Sequence, residues 1–179
     1  MEMPGVGPLT LDEDLHRYFS GPVTASVLGG VVGQVVLPSS YVADDDKEAV
    51  HAAVTAFLTN DDSALHAASA DAFAYYLDTV RESREQGWNE PLPDIAEPEQ
   101  VWAYVSLGHE FHVERDTDGQ VYVSIECECA WEPEHGLQLV LRAGTTITKL
   151  GPFDSHLTNT TAYARDDFAN VIYVSTSML

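Results

Sequence analysis

The chain has 179 residues, the length of one domain, and 45% of them are hydrophobic, enough for a core that needs no disulfide staples. Eight Lys and Arg stand against 29 Asp and Glu, a formal net charge of -21. A field of that sign repels phosphate backbones and anionic membrane surfaces, so nucleic-acid and membrane partners are disfavoured, while a cation or a basic protein is attracted.

The first residues hold no basic region followed by an apolar run, so no signal peptide is expected. The stretch from Val27 to Leu37 carries three glycines and Gln34, and it is too short to span a bilayer. Cys127 and Cys129 are one residue apart, a poor geometry for a structural disulfide. These features together predict a cytoplasmic protein.

Residues 1–15, rich in Pro, Gly and acid, read as a loose acidic leader, and residues 16–179 as a single α+β domain. The β-rich runs on either side of Gly29-Gly30 predict a hairpin, because both glycines accept positive φ. Asp44-Asp45-Asp46 then caps a helix with apolar residues at Val50, Ala53, Val54, Phe57 and Leu58. Asn60-Asp61-Asp62 starts a second helix, expected to be buried through Leu65, Ala72, Phe73, Tyr76, Leu77 and Val80 and closed by Gly87. The two predict an αα-hairpin, followed by a proline-rich connector and one turn of helix at Pro98.

From Val105 the pattern alternates. Leu107, His109, Phe111 and Val113 share an apolar face, and Glu110, His112 and Glu114 share a polar one. Asp116-Thr-Asp-Gly119 is a turn, after which Val121, Val123, Ile125, Cys127, Cys129 and Trp131 point inward, with Tyr122, Ser124, Glu126 and Glu128 outward. Folding about that turn places Phe111 near Val123, His109 near Ile125 and Glu110 near Ser124, with His112 beside Tyr122. A hairpin over 137–150, turning at Ala143-Gly144, and a final strand over 170–175 complete a mostly antiparallel sheet of hairpins with the helices on one face.

The densest patch of chemically versatile residues is Glu126 to Leu137. Cys127, Cys129 and His135 are the soft residues that could ligate a metal, with His109 or a carboxylate as a fourth, but one-residue cysteine spacing is narrow for zinc. Alternation puts both thiols on the apolar face, where cysteine packs as a small hydrophobe, so neither a metal nor another cofactor is expected. Glu110, His112, Glu126 and Glu128 form a polar sheet face that could transfer protons or simply be solvated. The nucleotide-binding glycine loops, the H-E-x-x-H motif and the G-x-S-x-G motif are all absent from the sequence.

The segment Trp131-Glu132-Pro-Glu134-His135-Gly136-Leu137, followed by Gly144 and Gly151-Pro-Phe-Asp154, resembles bacterial domains of unknown function that carry a Trp-Glu-x-Glu-His-Gly-Leu motif near their C-terminal end. The resemblance spans about residues 20 to 160. It implies a fold and a bacterial origin, and it brings no activity or catalytic residue. Trp131, Glu132, Glu134, His135, Gly136 and Asp154 are the ligand-site candidates, with Gly136 expected to allow a tight turn or positive φ. The leading expectation is a non-enzymatic interaction protein, an immunity-type protein being one form of it, whose acidic surface takes a basic partner. The alternative is a metal-dependent or hydrolase-like enzyme centred on His135, Glu132 and Glu134.

Overall fold

The computed structural model describes residues 1–87 and 91–179. It is an α+β fold built on one nine-stranded sheet. The strands are β1 (Glu2–Met3), β2 (Gly7–Asp12), β3 (Arg17–Ala25), β4 (Val31–Pro38), β5 (Val105–Ser106), β6 (Glu110–Arg115), β7 (Val121–Cys129), β8 (Leu137–Arg142) and β9 (Thr146–Gly151). Their order is β1-β2-β3-β4-β6-β7-β8-β9, with β5 paired to the far end of β7. All pairs are antiparallel except β4 with β6, where Val35 faces Phe111 in parallel register.

The helices follow the capping chemistry. Helix α1 (Lys47–Thr59) begins where the Asp46 carboxylate accepts the Ala49 N–H at 3.1 Å. The second expected helix is two, α2 (Ser63–Ala67) and α3 (Ser69–Gln86), joined at Ala68 and ended by Gly87 at φ 71°. Their apolar stripes cover one face of the sheet. Phe57 meets Phe111 edge-on at 5.0 Å, and Gly144 at φ 68° lets the β8–β9 turn reach α1 so closely that a Cβ there would collide with the Ala53 carbonyl. One apolar cluster runs from Met3 through the helices to Leu150.

The opposite face is only partly open to water. Tyr122, Ser124, Val140, Gln138 and Lys149 alternate outward from that core, yet all are buried. The segment from Asp154 onward covers them: Gln138 donates to the His156 carbonyl at 3.2 Å and Lys149 to the Asp154 carboxylate at 2.8 Å. Short helix α4 (Asn159–Tyr163) follows, and Asn159 holds the returning chain through the carbonyls of Val171 and Ile172.

Four expectations are corrected. Residues 1–15, read as a loose leader, contain β1 and β2, and burial of Met3 and Leu9 ties them to the core. The β6–β7 register is two residues from the expected one, pairing Val113 with Val123 and His112 with Ser124. The cause is a turn centred one residue later than expected, closed by Gly119 N–H on the Asp116 carbonyl and Asp116 N–H on the Gln120 carbonyl, so that Arg115 pairs with Val121. His109 lies outside any strand and is exposed, because β5 ends at Ser106 and the alternation restarts at Glu110. Residues 170–175 form no strand. They run beside β9 with one backbone bond, Leu150 N–H to the Ile172 carbonyl, and are pinned to α3 where Tyr173 Oη and the Thr176 N–H donate to Asp78.

Candidate functional site

Strand β7 is longer than its neighbours. Its last four residues pair with β5 on one side and the start of β8 on the other, leaving a cleft above them on the second face of the sheet. The cleft has a volume of about 940 Å³. Its wall carries Glu110 and His112 of β6, Glu126 and Glu128 of β7, His109 of the β5–β6 connection, and Glu132, Glu134 and His135 of the β7–β8 loop. The two sets of polar candidates in the sequence therefore line one space. Among the described residues no lysine or arginine lines it.

The loop is built by its own carboxylate. Glu132 Oε1 accepts the N–H groups of Glu134 at 3.0 Å and His135 at 3.3 Å, and it lies 3.6 Å from His135 Nδ1. Gly136, at φ 62°, returns the chain so tightly that a Cβ would meet the Cys127 carbonyl oxygen. Helix α3 fixes the loop from beneath, since Tyr75 Oη donates to the Gly136 carbonyl at 3.0 Å. Burial holds that phenol far above its ordinary titration range.

The strand wall is tuned by a cation just outside it. Arg17 of β3 donates to Glu114 Oε1 at 2.7 Å, and its Nη1 also lies 3.4 Å from His112 Nδ1. The other ring nitrogen of His112 is 3.3 Å from Glu110 Oε2. Burial, then the Arg17 charge, hold His112 below the usual histidine range, against the pull of Glu110 and Glu114.

Two candidates part from the cleft. Trp131 is 1% exposed, edge-on to the rings of Tyr75 and Tyr76, so it is a core residue. Asp154 does not line the cleft, because its carboxylate is drawn to buried Lys149. Cys127, Cys129 and His135 all line the cleft, with both cysteines buried. The donors that do converge, within 4.8 Å of one another, are those of Glu132, Glu134 and His135. Sequence reading missed Lys149, whose single position in a β-rich run resembled an outward-facing charge.

Both cysteines are free and buried. Burial pushes the thiols up, to about 12 for Cys127 and about 11 for Cys129. A thiolate-trapping reagent at neutral pH should react with native protein about two orders of magnitude more slowly than with unfolded protein, because thiolate is the nucleophile. Raised acid pKa values also set a sign: the folded state keeps its protons where the unfolded state loses them. The stabilisation is complete below the unfolded thiol value and declines as pH rises through the folded values. A thermal-midpoint series from about pH 8 to about pH 11 should fall, and less steeply after Cys127→Ala and Cys129→Ala.

Among the described residues no helix is long and apolar enough to cross a membrane. No curated protein and no solved structure matches the chain. A family match does exist, over residues 5–157, a span that includes both walls of the cleft and the whole β7–β8 loop and stops before α4. With 153 of 179 residues matched, the chain belongs to the family described as Domain of unknown function (DUF6985).

Proposed function

We propose that this chain is a non-enzymatic binding protein whose cleft receives a basic segment of a protein partner. The observation that carries the reading is the wall of the cleft: five glutamates, three histidines and no lysine or arginine among the described residues. The lining adds apolar contact through Leu107, Ala130 and Pro133. Carboxylates in a concave site reinforce one another's field, which accelerates encounter with a cation and makes association salt-sensitive.

A pull-down from native cells at low and high salt tests this. One basic protein, recovered stoichiometrically at low salt and depleted at high salt, is the expected result, and a blank at both salts would sink the reading. Reversing the wall with Glu126→Lys and Glu128→Lys should weaken capture by at least about tenfold, whereas the same reversal at Glu82 and Glu85 on α3 should change it less than about threefold.

The convergence of Glu132, Glu134 and His135 favours a second reading, a metal-assisted site. Stoichiometric zinc in the purified protein, lost after His135→Ala without loss of fold, would establish it and displace the first. Metal-free protein that still captures its partner would leave the first standing.

A further inference from the structure

We propose that the cleft is gated by protons, so that the basic segment it binds when His109 and His112 are neutral is released when they become charged. The inference rests on the cleft reading above and adds its regulation.

Hydrogen-bond geometry gives both rings a neutral form with one nitrogen ready for a proton. Arg17 Nη1 can only donate, so His112 Nδ1, 3.4 Å away, is the acceptor and its Nε2 carries the hydrogen toward Glu110. The Val32 carbonyl can only accept, so His109 Nδ1, at 2.7 Å, carries its hydrogen and Nε2 is left basic. Protonation has different consequences at the two. On His112 a proton at Nδ1 meets the guanidinium head-on, so Arg17 must withdraw from its place between His112 and Glu114. On His109 it adds a cation at the rim with no rearrangement.

The charges facing these rings make the gate one-directional. Around His112 stand Glu110 and Glu114 on its own strand, Arg17 from β3 and Glu126 from β7, while its neighbours Ser124 on β7 and Val36 on β4 are neutral. Around His109 stand Glu110, Glu126 of β7 against which the preceding Gly108 packs, and the uncharged backbone of β4. Two protons therefore cancel two of the five carboxylate charges that a basic segment would pair with. Histidine is the side chain suited to this change, and His112, held below the usual histidine range by burial and Arg17, takes its proton on the acid side of that range.

The test uses the whole protein and a fluorescent arginine hexapeptide as probe, read by anisotropy at about 50 mM salt, where surface charge is little screened. The dissociation constant should rise at least about fivefold between about pH 8 and about pH 5.5. In the His109→Gln/His112→Gln variant, which keeps His135, that ratio should fall to about half or less of the wild-type ratio, and Glu126→Gln/Glu128→Gln should weaken binding at the higher pH. Should the double variant fold poorly, calorimetry of the wild type in two buffers of different ionisation enthalpy gives the same answer, since probe binding near pH 6 must expel protons. Binding with no proton release, or with an unchanged pH ratio in the variant, overturns the gate and leaves the cleft reading intact. Absence of probe binding at the higher pH, or binding indifferent to Glu126 and Glu128, overturns both.

Discussion

Replacing Asp154 with Ala should cost about 3–5 kcal/mol of unfolding free energy, whereas replacing its partner Lys149 with Met should cost no more than about 1–2 kcal/mol. The pair is 2.8 Å long and lopsided: the Lys149 side chain is 2% exposed and that of Asp154 34%. Removing the carboxylate leaves an ammonium in a dry site where, among the described residues, only the Gln138 carbonyl oxygen, at 2.9 Å, satisfies it. Removing the lysine leaves a carboxylate that already reaches water and still accepts the His156 N–H at 2.9 Å, while methionine fills the stem's volume. The remaining cost is the Gln138 oxygen losing its closer donor and keeping the Asp154 N–H at 3.5 Å. Burial holds Lys149 below the ordinary lysine range, opposed by Asp154. For a base with a lowered folded-state value, stability rises with pH from that value up to the unfolded one. The Asp154→Ala variant should therefore recover part of its loss on the alkaline side, and Lys149→Met should lack that component. Urea unfolding at two pH values measures both, and equal losses in the two variants would show that the ammonium reaches solvent.

The same pair marks a boundary of what the amino-acid order disclosed. Asp46 as a helix cap, Gly87 as a helix stop, the Asp116–Gly119 turn and the inward set from Val121 to Trp131 follow from local chemistry, and local chemistry is legible. The parallel contact of β4 with β6 joins segments more than seventy residues apart and leaves no periodic trace in either. The two-residue difference in β6–β7 register is silent for a related reason, since a slip of two preserves every side chain's face. Burial of Lys149 and Gln138 depends on a segment that begins only after β9, so alternation marked them outward and could not show that the outward face is covered. In the N-terminal region, Leu9-Thr-Leu11 is too brief an alternation to outweigh the surrounding Pro, Gly and acid, although Leu9 is buried. For the cleft, the residue types were legible and their meeting was not. Glu110 and His112 share a wall with Glu132 and His135 because β7 outruns its neighbours and Gly136 folds the loop back over it.

Within the Trp-Glu-Pro-Glu-His-Gly segment, substitution should separate fold from binding. Trp131→Ala should cost about 3–5 kcal/mol, the range for removing a large aromatic from a packed core. The indole lies 6.0 Å from the Tyr75 ring and 6.1 Å from Tyr76, nearly perpendicular to both, so two aromatic contacts go with the buried area. The loss should travel: Tyr75 also holds the Gly136 carbonyl, so a cavity beneath it loosens the loop that carries Glu132 and His135. Trp131→Phe should be much milder, within about 1.5 kcal/mol, because the Trp131 Nε1–H is buried without a partner among the described residues and its removal offsets part of the lost packing. His135→Gln, at a half-exposed ring bonded only loosely to Glu132, should stay within about 0.5 kcal/mol. A chemical-denaturation series over the three variants decides the matter. If His135→Gln destabilised as much as Trp131→Ala, the Glu-His-Gly corner would be a structural brace, and the cleft would lose one wall of its binding surface to the fold. With the expected order, Trp131 anchors the corner from below while the charges above it are free to meet a partner.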